Sequence, residues 1–190
     1  MIAIIDCGDR RIDQLVRTVD YYDDCFVVAV YDIQKTAWDE HNVDAYIIST
    51  SALVVNEVDV SNYLKELKIL LDHNKPILGI GTGHHLISLL FDGQGVYAPY
   101  FNDAIEIGII SDDHPLFQKL PLDITMIKEH SGTVSIPATF ELLASSDISI
   151  NEAMGHRDRL IFGVQFLPEH SGNHGNVIIE NFVNISQQKL

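Results

Sequence analysis

Two cysteines, Cys7 and Cys25, are all that 190 residues contain. They make no disulfide framework and lack the Cys-x-x-Cys spacing of metal or redox sites, so both read as small buried apolar residues. Cationic side chains are scarce as well: twelve Lys and Arg stand against 27 Asp and Glu, for a formal net charge of −15. No run of them could track a phosphate backbone, which removes nucleic acid and anionic membrane from the expected partners. The acidic residues are scattered and read as solvated surface. Also missing is any apolar stretch near the roughly 20 residues that span a bilayer, and "IAIID" follows Met1 without a basic leader. A cytoplasmic protein is expected.

What is present suffices for one core. With 46% hydrophobic residues, the length predicts a single domain over residues 1–190. In the first half, short β-rich runs alternate with helical periods: "IAIID" (2–6), then Ile12, Leu15, Val16 and Val19 on one helical face, "FVVAVY" (26–31), "AYIIST" (45–50), a helix over Val60 to His73, and "PILGI". Continuous apolar strands separated by helices predict an α/β fold with an open, mostly parallel central sheet covered on both faces. The second half runs "AIEIGIIS", "DITMIKEH", "FELLASS", "SINEAMGH" and "RLIFGVQF" with turns between them and no helices. Those runs predict an antiparallel β extension. "NVIIENFVNI" closes the chain as a helix.

The stretch "PILGIGTGHHLISLLF" (76–91) reads as a buried strand, a tight turn and an amphipathic helix whose N-terminus faces the carboxyl end of the sheet, where open α/β sheets bind ligands. Its apex is Gly81. Glycine is the least costly occupant of a strained turn, and it brings no nucleophile.

This elbow, together with "IFGVQFLPEHSGNHG" (161–175), resembles the P-[IV]-L-G-[IV]-C-x-G-H-Q and G-V-Q-F-H-P-E motifs of class I glutamine amidotransferases, and among them the free-standing glutaminase subunits of GMP synthase. "KEHSGTV" (128–134) is similar to the family's S-H-G-D stretch, with Ser131 and Gly132 where the family has Gly and Asp. The resemblance implies a flavodoxin-like sheet and places the family's Cys-His-Glu triad at Gly81, Leu167 and Glu169. Only the orienting acid of that triad is kept. The family's glycine-rich oxyanion loop matches Ser49 to Val55, which contain no glycine, and its substrate-contacting glutamine is His85. The expectation is a degenerate amidotransferase that binds without hydrolysing glutamine. Its ligand pocket would be formed by Ser49, Thr50, Ser51, Thr82, His85, Glu169 and His170. In the family the glutaminase docks on a synthetase, so a synthetase-like protein partner or a homodimer is implied; no cofactor is.

The same residues admit other readings. Thr82 can cap the following helix, and Cys7, at the end of the first strand, can be a displaced nucleophile or a packing residue. Glu169, its histidine gone, either finds a donor in His170, Thr82 or a backbone amide, shifts its pKa upward, or sits in water at the rim. His84, His85, His170 and His174, which the resemblance brings near one another, could with Glu169 form a metal site, and His85, Glu169 and His170 a metal-assisted hydrolase. Adjacent histidines at a helix start point in different directions, however, and no metal is expected.

Overall fold

Ile2, Ile4, Ala45, Ile47, Leu78 and Ile80 belong to one core, and Ala3, Ile5, Tyr46, Ile48 and Ile77 to another. Neighbouring residues of a strand point to opposite faces, so strands apolar at every position must be covered twice. The computed structural model, which describes residues 1–188, shows how this is met. The elements are β1 (Ile2–Asp6), α1 (Ile12–Asp20), β2 (Cys25–Ala29), α2 (Trp38–His41), β3 (Ala45–Ile48), α3 (Ser61–Asp72), β4 (Ile77–Ile80) and α4 (Thr82–Leu90), followed by β5 (Gly95–Val96), β6 (Phe101–Ile109), β7 (Asp123–His130), β8 (Thr133–Val134), β9 (Phe140–Ser145), β10 (Ala153–His156), β11 (Ile161–Val164) and α5 (Gly172–Gln187).

Nine strands form one sheet in the order β2-β1-β3-β4-β11-β10-β9-β6-β7, while β5 and β8 make a small separate ladder. From β2 to β11 the strands are parallel, and from β11 to β7 they are antiparallel. Leu15 and Val19 of α1 and Ile178 and Phe182 of α5 cover one face. Leu67 and Leu70 of α3 and Leu86 and Ile87 of α4 cover the other. No helix among the described residues is long and apolar enough to cross a membrane.

Three runs differ from what their composition predicts. β2 stops at Ala29, because residues 30–35 turn into a 3₁₀ segment that buries Val30 and Ile33. β10 begins only at Ala153, since Ser149 and Asn151 turn inward to hydrogen-bond Gln165 and the Val134 carbonyl. β11 is a hairpin partner of β10 on one side, but on the other it pairs with β4 in parallel, Ile161 opposite Ile77 through Val164 opposite Ile80. The parallel sheet therefore gains a fifth strand from the second half of the chain.

Candidate functional site

The carboxyl ends of β1, β3, β4 and β11 converge, and the elbow between β4 and α4 lies among them. Gly81 has φ 55° and ψ −112°, a conformation that residues with a Cβ rarely adopt. Its N–H donates to the Val164 carbonyl at 2.9 Å, which locks the turn onto β11. A Cβ added at this apex would collide with Thr50 Oγ1, lie 2.9 Å from Thr50 Cβ and 3.3 Å from Leu167 Cδ2. The space of a nucleophile is thus filled by Thr50.

The hydroxyls around the apex occupy the backbone donors. Thr82 N–H donates to Thr50 Oγ1 at 3.3 Å, and Ser51 N–H donates to Thr82 Oγ1 at 3.2 Å, whose own hydroxyl donates to the Ser51 carbonyl at 3.0 Å. Nucleophile elbows draw their oxyanion hole from two such amides, the one after the apex and one from a neighbouring strand-end loop. Both are engaged within the protein. The capping expectation for Thr82 is corrected: α4 has no side-chain cap hydrogen bond, because this hydroxyl is tied to the loop after β3.

A cavity of about 420 Å³ opens over the elbow. Thr50, Ser51, Thr82 and His85 line it together with Leu167; Ser49, Glu169 and His170 do not. Ser49 is fully buried, accepting from Cys7 N–H at 3.0 Å and donating to the Thr50 carbonyl at 2.9 Å, and so fastens β3 to β1. Cys7 itself is 2% exposed, and burial pushes its thiol pKa far up, which makes it a packing residue.

The remaining wall includes Asp9, Arg10 and Arg11 after β1 and Tyr100 before β6, which no motif marks, and Glu129 and His130 at the end of β7, which lie in "KEHSGTV". Arg11 forms an ion pair with Glu129, which also accepts the Tyr100 hydroxyl at 3.4 Å. Gln165 holds the loop bearing His130. Its amide group donates to the Gly132 carbonyl and contacts the His130 ring, while its carbonyl accepts from the Thr133 and Ser149 hydroxyls. One signal could have found Arg10 and Arg11: they are the sole adjacent cationic pair in the chain, placed at the end of the first strand.

The histidines divide into separate environments. His84 is fully buried beside Gly163, where a Cβ would lie 2.5 Å from its Nδ1, and burial lowers its pKa to about 3. His85 packs its ring against His130 and His84 at 6.0 and 5.8 Å between centroids. Burial, and then these two neighbours, hold its pKa well below the ordinary value. His170 and His174 line a shallow depression with Thr125 to Ile127. Among the described residues no three His, Cys, Asp or Glu side chains are grouped so as to hold a metal ion. The metal-assisted arrangement of His85, Glu169 and His170 is therefore not assembled.

Glu169 is not at the rim in water. It is 5% exposed, neither carboxyl oxygen has a hydrogen-bond partner among the described residues, and His170 Nε2 stands 3.9 Å away. The Thr82 hydroxyl is engaged with Ser51 instead, and the residue's own backbone amide only partly opposes the effect of burial. Burial raises its pKa to about 8, so at neutral pH the folded protein holds a proton that the unfolded chain has released. Stability due to this group is fully present below the ordinary glutamate value of 4.5 and is lost as pH rises toward about 8. Glu169→Gln should flatten that decline, whose slope is at most about 1.4 kcal/mol per pH unit for one proton. Melting temperature against pH for both proteins checks it; parallel curves between pH 5 and 8 would count against a buried neutral acid.

A parallel sheet closed by an antiparallel flank, with an elbow on its central strand, is the architecture of an amidotransferase. The model of the family described as glutamine amidotransferase class-I matches residues 3–185, and the chain belongs to that family. Within it, the chain is similar to the archaeal proteins that form one of the subunits of glutamine-hydrolysing GMP synthase. It is 35% identical to the one from Pyrococcus furiosus, over 97% of this chain and 98% of the relative, and 32% identical to the one from Methanococcus maripaludis, over 96% and 95%. The crystal structure of a Thermoplasma acidophilum protein assigned to the same GMP synthase component superposes with a TM-score of 0.86 at 27% identity, covering 97% of this chain and 92% of that one. The Thermotoga maritima PurLQS structure, 11% identical with a TM-score of 0.78 over 97% of both chains, shares the fold.

Proposed function

We propose that this amidotransferase-fold protein is a binding protein that hydrolyses no glutamine, acting through a small ligand in the elbow cavity and a protein partner. One observation carries the reading. The apex of the elbow is a glycine whose side-chain space is filled by Thr50, with Leu167 at 3.3 Å in the place of a base. A thiol, a proton acceptor and free oxyanion donors are the three requirements of covalent amide hydrolysis, and each position is taken by a group that cannot supply it. The cavity remains, with Leu167, Leu53 and Val54 giving it apolar wall and Thr50, Ser51, His85 and Arg10 giving it polar wall, the usual make-up of a small-molecule site.

A partner fits the same reading, because the relatives carry the name of one component of a larger synthase. A synthetase-like protein is the first expectation and self-association the second. The decisive test is ammonia release from glutamine by the untagged wild-type protein, alone and with the synthetase component of a GMP synthase. No release above the uncatalysed control is expected; turnover near the ordinary enzymatic range of about 1 s⁻¹ or faster would overturn the reading.

A further inference from the structure

The cavity over the elbow has hydrogen-bond donors that nothing in the protein uses. Thr50 Oγ1 and Ser51 Oγ each accept a backbone N–H, from Thr82 and Leu53, and their own hydrogens have no acceptor among the described residues. His85 is 2% exposed with both ring nitrogens unpartnered. A neutral imidazole carries one donor and one acceptor, and leaving either unmet in a buried site is unfavourable. At the mouth stands Arg10, exposed and without an ion pair among the described residues. In a chain of net charge −15 this guanidinium lines a cavity beside the Thr50 and Ser51 hydroxyls.

Resting on the reading of this cavity as a binding site, we infer that its ligand is a small oxyanion, a carboxylate or a phosphate ester. The charged end meets Arg10 and the hydroxyls of Thr50 and Ser51, and a short carbon chain lies against Leu167 and Val54. Guanidinium pairs with both kinds of anion through parallel N–H donors. The carboxylates of the wall do not oppose this. Glu129 is engaged by Arg11 and Tyr100, and Asp9 has one oxygen on the Arg11 N–H. Its other oxygen is buried without a partner, and burial raises the Asp9 pKa. The volume of about 420 Å³ suits a small metabolite.

Calorimetric titration of the full chain at fixed ionic strength tests the assignment, with glutarate, glycerol 3-phosphate and, as a neutral isostere, glutaramide. Either anion should bind with one site and at least tenfold more tightly than glutaramide. Arg10→Gln should weaken that binding at least tenfold, as expected for a charged hydrogen bond, while Arg17→Gln, which removes an exposed cation outside the cavity, should leave it unchanged. Which anion binds names the source of the oxyanion, and either supports the inference. Equal affinity for glutaramide, equal loss in both arginine variants, an unaffected Arg10→Gln, or silence from every probe overturns it. The glutamine assay separates the two levels: silent titrations with an inert protein overturn only the oxyanion assignment, whereas glutamine turnover overturns the binding reading beneath it.

Discussion

Gly81→Cys, the substitution that returns a thiol to the elbow, is expected to release no ammonia from glutamine and to melt on the order of 10 °C below the wild type. At φ 55° a side chain costs about 1–2 kcal/mol, and the new Cβ lands on Thr50, an overpacking worth about 1–3 kcal/mol more. In a domain of this size each kcal/mol moves the melting temperature by about 2–4 °C. The thiol would face Leu167, which takes no proton, and the amides of Ser51 and Thr82 that remain bonded to hydroxyls. Adding Leu167→His restores a base and leaves the donors blocked. Only with Thr50→Gly as a third change does the apex gain room and the Thr82 N–H become free, so the triple variant should exceed the double by at least about 10², the scale of one oxyanion donor. Scanning fluorimetry and an ammonia assay on the series measure both effects; turnover by Gly81→Cys alone, or by the double variant at the level of the triple, would show that Thr50 does not block the site.

The central strands were legible because burial on both faces leaves an unbroken apolar run, and Ile2–Ile5, Ala45–Ile48 and Ile77–Ile80 are such runs. The elbow was legible for a related reason, since a strand, a glycine turn and an apolar helix in direct succession have few other ways to pack. The parallel pairing of β11 with β4 was not. Its residues fit a hairpin equally well, and the second neighbour of a strand is set by the whole sheet. Site residues divide along the same line. Thr50, Ser51, Thr82 and His85 follow from the elbow and from the family resemblance, whereas Arg10 reaches the cavity from the loop after β1 and Glu129 and His130 from the end of β7, the edge strand of the antiparallel flank. Glu169 shows a further limit: its position in the motif was plain, but whether its carboxyl meets water depends on how α1 and the segment after β11 close over it, with the Gln14 side-chain amide donating to the Glu169 carbonyl at 2.7 Å.

The largest stability effects should come from a buried ion pair. Lys128 on β7 and Glu152 before β10 form an ion pair with both side chains at 0% exposure, and the Ser146 hydroxyl donates to the same Glu152 oxygen at 2.6 Å. Burial lowers the Lys128 pKa, with Glu152 opposing the shift. Removing either partner strands a charge without water, so Lys128→Met and Glu152→Leu should each cost about 3–5 kcal/mol, roughly 6–20 °C in melting temperature. Replacing both is a different matter. Two charges stripped of solvent repay little beyond their own desolvation, and buried pairs exchanged for apolar residues of like volume are often neutral or gain about 1–4 kcal/mol. The Lys128→Met/Glu152→Leu variant should therefore melt near or above the wild type, and a double-mutant cycle by urea denaturation should give a coupling of several kcal/mol. Additive losses would mean that the two side chains do not act as a pair. Recovery in the double variant would assign the pair a task other than stability.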